Sequence, residues 1–129
     1  MDATALIAVM IGGAIGAGLR YAITLFFLQR FGPLVPYGTF AINVLGCFLV
    51  GVIIELARTR AFGITPIVRL FATVGILGGF TTFSAFAYES VALIEGGYAL
   101  ISALYVGASV VVGLLAAYAG SMLARMIVR

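Results

Sequence analysis

Four long apolar segments, separated by short polar or glycine-containing stretches, dominate the pattern of this chain. They cover residues 3–28, 37–56, 67–95 and 98–126. Because roughly 20 apolar residues suffice for a helix to cross the hydrocarbon core of a bilayer, each segment is long enough to be a span. The pattern predicts an all-α integral membrane protein with four transmembrane helices, forming a single domain over residues 1–129.

The segment ends carry residues that stop or start helices. Gly32 followed by Pro33 is typical of a helix C-terminus. Thr65 followed by Pro66 is typical of an N-cap with proline at the first helical position. Within the segments, Gly12 and Gly16 repeat at a spacing that lets two helix backbones approach closely in lipid, and we expect a helix contact there.

The third segment contains a stretch that an uninterrupted membrane helix would not need. Three glycines lie within residues 75–79, and three phenylalanines and a Thr-Thr-x-Ser cluster lie within residues 80–86. Glycine weakens a helix, and hydroxyl side chains compete for its backbone hydrogen bonds. We therefore predict a break at the centre of the third helix and place the function there. The alternative is a glycine-rich packing groove whose hydroxyls bond back to the helix. Free carbonyls around Gly78 to Thr81 would suit a hard monovalent cation.

Composition agrees with a membrane location and excludes several kinds of site. The chain of 129 residues is 64% hydrophobic and 9% charged, with a mean hydropathy of +1.29, whereas a soluble domain carries about 25% charged residues. It has no histidine and one cysteine, so an intrachain disulfide and histidine-based catalysis are excluded. Paired carboxylates, a nucleophile–base pair and a phosphate loop are also absent from the sequence, and we do not expect an enzyme.

The arginines predict the orientation in the membrane. No basic residue precedes the first apolar run, so a cleaved signal peptide is not expected. The side that holds the termini and the second loop carries five arginines, namely Arg58, Arg60, Arg69, Arg125 and Arg129, whereas the other side carries Arg30. This distribution predicts cytoplasmic termini and is a topology signal rather than a nucleic-acid-binding patch.

Several residues around the predicted break could recognise an anion. The edges of the Phe83 and Phe86 rings are electropositive, although both rings could simply pack against lipid or core. Asn43 could donate an N–H group to an anion or make an interhelical hydrogen bond. A row of hydroxyl donors could continue the path, formed by Ser84, Thr82, Ser109 and Tyr105.

Two charged residues in the spans leave their roles open. Arg20 could attract anions at a vestibule, or it could extend to the end of the first span. Glu89 lies one helical turn beyond Phe86 and could face a pore or pair with an arginine. Because four short helices make a poor pathway alone, we expect an oligomer with its site at the interface.

Three motifs resemble those of one family over essentially the whole chain. Residues 12–21 read GGAIGAGLRY, residues 38–46 read GTFAINVLG, and residues 78–86 read GGFTTFSAF. In this order and at these positions, they resemble the fluoride channels of the Fluc (CrcB) family.

The resemblance implies a passive, fluoride-selective channel in the bacterial inner membrane that exports cytoplasmic fluoride and so lowers its toxicity. It implies an antiparallel, dual-topology dimer with two pores, and a structural Na⁺ at the dimer centre held by the main-chain carbonyls of Gly78 and Thr81. It also implies a pore lined by Asn43, Phe83 and Phe86, a polar track of Thr82, Ser84, Ser109 and Tyr105, and a vestibule arginine at Arg20.

The partner and the transport class each have an alternative. The five-to-one arginine distribution would also suit a partner that is a paralogue of opposite orientation, in place of a second copy. A secondary exporter of drugs or cations is the main alternative function, but the first and fourth segments contain no carboxylate. A structural membrane subunit would carry no flux by itself.

Overall fold

The prediction of an all-helical chain with four membrane-spanning segments is confirmed. A computed structural model describes residues 2–59 and 62–128. Its four helical segments are long and apolar enough to cross a membrane, namely Ala3–Phe31, Tyr37–Thr59, Pro66–Glu95 and Ala99–Ile127, with mean hydropathies of 1.6 to 2.3. Arg60 and Arg129, two of the arginines used to predict orientation, lie outside the described residues.

The first two helices, α1 (Ala3–Phe31) and α2 (Tyr37–Thr59), are joined by a short turn. The predicted stop at Gly32 is confirmed, since this residue has a φ of 79° and its N–H donates to the carbonyl of Leu28. Glycine adopts this left-handed conformation without the steric cost that a Cβ adds. Both helices extend three residues beyond the apolar segments, which end at residues 28 and 56.

The third span consists of several helical pieces. It begins with α3 (Pro66–Leu70), continues as a π-helical segment (Phe71–Leu77) and α4 (Gly78–Phe80), and resumes as α5 (Phe83–Glu95). The predicted N-cap is confirmed, because the Thr65 side chain accepts from the N–H of Val68 at 3.3 Å.

The helical pieces α4 and α5 are separated by two threonines with extended backbone. Thr81 has φ −78° and ψ 158°, and Thr82 has φ −152° and ψ 116°. The glycines that motivated the predicted break are themselves helical, and the interruption follows them.

Two of these glycines, Gly75 and Gly79, instead let the third span approach α1 closely, since a Cβ on either would meet backbone atoms of Gly12 or Gly13. The close contact expected for Gly12 and Gly16 is observed from the side of α1 as well. A Cβ on Gly12 would lie 2.7 Å from the carbonyl oxygen of Phe71, and one on Gly16 would overlap the carbonyl oxygen of Ile76. Only glycine allows backbones to meet at this distance in lipid. The contact fixes the position of the third span just before the interruption.

The last helix, α6 (Ala99–Ile127), packs along α2. A Cβ on Gly51 would overlap the carbonyl oxygen of Ala117, which indicates another close backbone contact. At the same end of the bundle, the buried carboxylate of Glu55 binds Arg58 at 2.5 Å and Arg125 at 3.2 Å. These contacts hold α2 and α6 together along their length.

Candidate functional site

A cavity of about 390 Å³ lies between α2, the interrupted third span and α6, and we call it the central cavity. Seven of the ten predicted site residues line it, namely Asn43, Gly78, Thr81, Thr82, Phe83, Phe86 and Ser109. None of its described lining residues is charged. The fold therefore brings together most of the candidates from three of the four spans.

Asn43 is bound to the interruption through both ends of its side-chain amide. Its Nδ2 donates to the carbonyl of Thr82 at 3.0 Å, and its Oδ1 accepts from the N–H of Thr82 at 2.8 Å. Of the two roles considered from the sequence, the interhelical hydrogen bond is the one formed here. The amide retains a second N–H group that these two bonds do not use.

The interruption removes the helical partners of two carbonyls. In a regular helix, the carbonyl of Gly78 would accept from the N–H of Thr82, and that of Thr81 from the N–H of Ala85. Here the Thr82 N–H bonds to Asn43, and the Ala85 N–H bonds to the Oγ1 of Thr82 at 3.2 Å. Gly78 and Thr81 both line the central cavity. Two such carbonyl oxygens are ligands that a hard cation prefers.

Two aromatic rings, those of Phe83 and Phe86, line the cavity, and the ring of Tyr105 packs behind Phe86 without reaching the lining. The centroids of Phe83 and Phe86 are 5.6 Å apart, and those of Phe86 and Tyr105 are 5.3 Å apart, all in tilted arrangements. Phe83 is 80% exposed in the single chain, whereas Tyr105 is buried. A ring this exposed is covered by its own chain on one side only, and its other face has no packing partner within the described residues.

Tyr105 and Glu89 form a hydrogen-bonded group with Thr39, which was not predicted as a site residue. The carboxylate of Glu89 accepts from Tyr105 Oη at 2.8 Å and from Thr39 Oγ1 at 2.6 Å. Within the described part of the chain, Glu89 therefore pairs with hydroxyls and not with an arginine. Thr39 follows Gly38 near the start of α2, one helical turn before Asn43, and this spacing could have identified it as a site residue.

The remaining hydroxyls differ in their surroundings. Ser109 lines the central cavity, and its buried Oγ has no hydrogen-bond partner among residues 2–59 and 62–128. A buried hydroxyl without a partner is uncommon and is free to donate to a ligand. Ser84 lies outside the cavity lining, with its Oγ 3.3 Å from that of Thr82.

Arg20 is not brought together with the other candidates. It is absent from the cavity lining and forms no salt bridge within the part of the chain that the structure describes. Because α1 continues to Phe31, Arg20 lies eleven residues before the end of the helix, a distance of about 16 Å.

Other cavity-lining residues were not predicted as site residues. Gly46, Cys47 and Val50 follow Asn43 on one face of α2. Their spacing of three, four and seven residues from Asn43 is helical, so projection along α2 could have found them. Thr73, Leu77 and Val110 complete this set.

Comparison with known proteins identifies relatives over nearly the full length. The model of the CrcB-like protein family, described as Camphor Resistance (CrcB), matches residues 7–121. A protein of Chloroflexus aurantiacus named "Fluoride-specific ion channel FluC" is 49% identical over 93% of this chain and 94% of its own length. A protein of the same name from Rhizobium etli is 45% identical over 93% of this chain and 95% of its own length. One from a Roseiflexus species is 39% identical over 95% of this chain and 98% of its own length.

The family model and these relatives extend over all four helical segments and include the residues that line the central cavity. The relatives are named as ion channels and not as enzymes. By its family match and by its identity to these proteins, the chain belongs to the CrcB family.

Proposed function

We propose that this protein is a passive, fluoride-selective channel that lets cytoplasmic fluoride leave the cell and so lowers its toxicity. The observation that carries this proposal is the uncharged central cavity, lined by amide, hydroxyl and aromatic groups, in a chain whose relatives are named fluoride-specific channels. Fluoride is small and strongly hydrated, so its lost water must be replaced by donors in the wall. Neutral donors replace the lost water and carry no fixed charge, which would bind fluoride too tightly for it to pass through the pore.

Fluoride recognition is assigned to residues on three elements. The second N–H of Asn43, the free hydroxyl of Ser109 and the edges of Phe83 and Phe86 would contact the ion. Thr82 and Ser84 supply further hydroxyls, and Tyr105 contacts Phe86 beside them. Arg20 would act from a distance as a vestibule charge that attracts anions.

The functional unit is an antiparallel dimer with two pores. The exposed Phe83 ring supports this, because a second subunit would complete the wall that one chain leaves open. The second subunit is either another copy of this chain or a paralogue of opposite orientation, and the arginine distribution makes both worth testing. The dimer lies among the lipids of the bacterial inner membrane.

A structural Na⁺ at the dimer centre fits the carbonyls of Gly78 and Thr81. Both have lost their helical partners at the interruption, and carbonyl oxygens suit a hard monovalent cation. When bound, the cation would supply positive potential to the pores.

Fluoride efflux from liposomes that contain only the purified protein tests the proposed function. We expect rapid fluoride efflux once an ionophore carries the counter-charge, and no chloride efflux under the same conditions. The rate should not respond to a proton gradient, since a passive channel needs no coupling ion. Saturating, proton-dependent transport would indicate an exporter, and absence of efflux even after co-reconstitution with a paralogue would contradict the proposal.

Cys47 provides a test of whether the central cavity is the pathway. It is half-buried, lines the cavity and is the single thiol in the chain. We expect mercuric chloride, a small thiol reagent, to lower fluoride efflux severalfold, and the Cys47→Ala variant to conduct normally and resist the reagent. Unchanged efflux in the modified wild-type protein, with labelling verified by mass spectrometry, would place the pathway elsewhere.

A further inference from the structure

We propose that Asn43 is a positioning residue that keeps the Gly78 carbonyl available to a cation by holding the N–H group of Thr82. This inference rests on the proposed function and assigns to Asn43 a role separate from contact with fluoride. The observation behind it is the pair of hydrogen bonds, 3.0 and 2.8 Å long, between one side-chain amide and one peptide group.

The N–H of Thr82 has two alternative acceptors. In a continuous helix it would bond to the Gly78 carbonyl, four residues earlier. An unpaired N–H within a membrane costs several kcal/mol, so the group bonds wherever an acceptor is offered. Asn43 Oδ1 supplies that acceptor from α2, and the Gly78 oxygen is released as a consequence.

The donor half of the amide strengthens the same arrangement. Nδ2 of Asn43 bonds to the Thr82 carbonyl and so fixes the orientation of the Thr82 residue. Thr82 in turn caps α5, where its Oγ1 accepts from the N–H of Ala85 and leaves the Thr81 carbonyl without that partner. Asn43 thus acts on both proposed cation ligands through Thr82. It acts on Gly78 by holding the Thr82 N–H, and on Thr81 by orienting the residue that caps α5.

Na⁺-dependent thermal stability separates this role from fluoride binding. Wild-type protein purified without Na⁺ is titrated with NaCl at constant ionic strength, using N-methylglucamine chloride as the replacement salt, and its unfolding temperature is followed. Asn43→Leu has a similar size and no acceptor, so the Thr82 N–H should return to the Gly78 carbonyl and remove it as a Na⁺ ligand. We therefore expect the Na⁺ concentration for half-maximal stabilisation to rise at least tenfold, the change in affinity that corresponds to about 1.4 kcal/mol. Asn43→Asp keeps the acceptor for the Thr82 N–H and, with its carboxyl protonated, a donor for the Thr82 carbonyl; measured at a pH that protonates it, this variant should remain closer to wild type than Asn43→Leu.

The outcomes distinguish the inference from the proposed function. If Asn43→Leu does not fold, Asn43→Ser provides the same test, because its hydroxyl is one atom shorter than the amide and does not reach the peptide of Thr82. A normal Na⁺ response in a variant without the acceptor would overturn the inference, even if its fluoride efflux were lost. Wild-type protein that conducts fluoride without any Na⁺ response would also overturn it and leave the channel function standing. Absence of wild-type fluoride efflux, even after co-reconstitution with a paralogue of opposite orientation, would instead reject the proposed function.

Discussion

Replacing Phe86 by isoleucine is expected to lower fluoride efflux by at least about tenfold while the protein remains folded. The ring edge is electropositive, and isoleucine fills similar space without that charge distribution. We take the attraction between the ring edge and fluoride as comparable to a desolvated cation–π contact, about 2 kcal/mol. Its loss corresponds to a roughly 30-fold change in rate. The measurement is initial fluoride efflux from liposomes at equal protein density.

Phe83→Ile should have a similar effect, because its ring lies next to that of Phe86, with centroids 5.6 Å apart. Phe26 offers a matched control on α1: it lies outside the central cavity and is 61% exposed. Phe26→Ile should conduct at the wild-type rate. If both Phe83→Ile and Phe86→Ile conduct normally as folded proteins, the assignment of the pathway is wrong, whatever the fold.

Local sequence predicted the helices well because membrane spans depend on length and apolar composition. The stop at Gly32 and the cap at Thr65 were also predictable, since each depends on a few neighbouring residues. The helix ends were less predictable: α1 continues through Gln29 and Arg30 to Phe31, as polar residues can extend a helix beyond its apolar part. Hydropathy marks the lipid-facing length and not the last helical turn.

The details of the site depend on contacts between distant parts of the chain. Glycines near a predicted break suggested that they form it, yet Gly75 lies in the π-helical segment against Gly12, and the extended residues are Thr81 and Thr82. The partners of Glu89 are 50 residues before and 16 residues after it in sequence. A single sequence offers donors and acceptors for such pairs but does not decide among them.

The contact between Gly46 and Thr81 connects α2 to the interruption and leads to the second prediction. A Cβ on Gly46 would overlap the Cγ2 methyl of Thr81, while the next nearest atoms, Thr81 Cβ and Phe80 Cδ1, would be 3.6 and 3.8 Å away. We expect Gly46→Ala to destabilise the protein by about 1–3 kcal/mol, as overpacking does, because the methyl can move aside only if the Thr81 side chain rotates and its hydroxyl leaves the carbonyl of Leu77. Because the methyl belongs to the interrupted segment, fluoride efflux should fall as well.

One substitution should reverse this loss. Thr81→Ser removes the methyl but keeps the hydroxyl that bonds to the carbonyl of Leu77 at 2.9 Å. The remaining neighbours of a Cβ on Gly46 would then be at ordinary contact distance. We therefore expect the double variant Gly46→Ala, Thr81→Ser to recover most of the thermal stability and efflux, with Thr81→Ser alone close to wild type.

Gly51 supplies the control for this rescue. A Cβ there would overlap the carbonyl oxygen of Ala117, a backbone atom that no side-chain substitution removes. Gly51→Ala should lower the unfolding temperature in detergent, and adding Thr81→Ser should not restore it. Coupling is expected between residues in contact and not between distant ones. If Thr81→Ser rescues Gly46→Ala but not Gly51→Ala, the clash is located at the Thr81 methyl. A double variant as unstable as Gly46→Ala would mean that α2 and the interruption are not packed in this register.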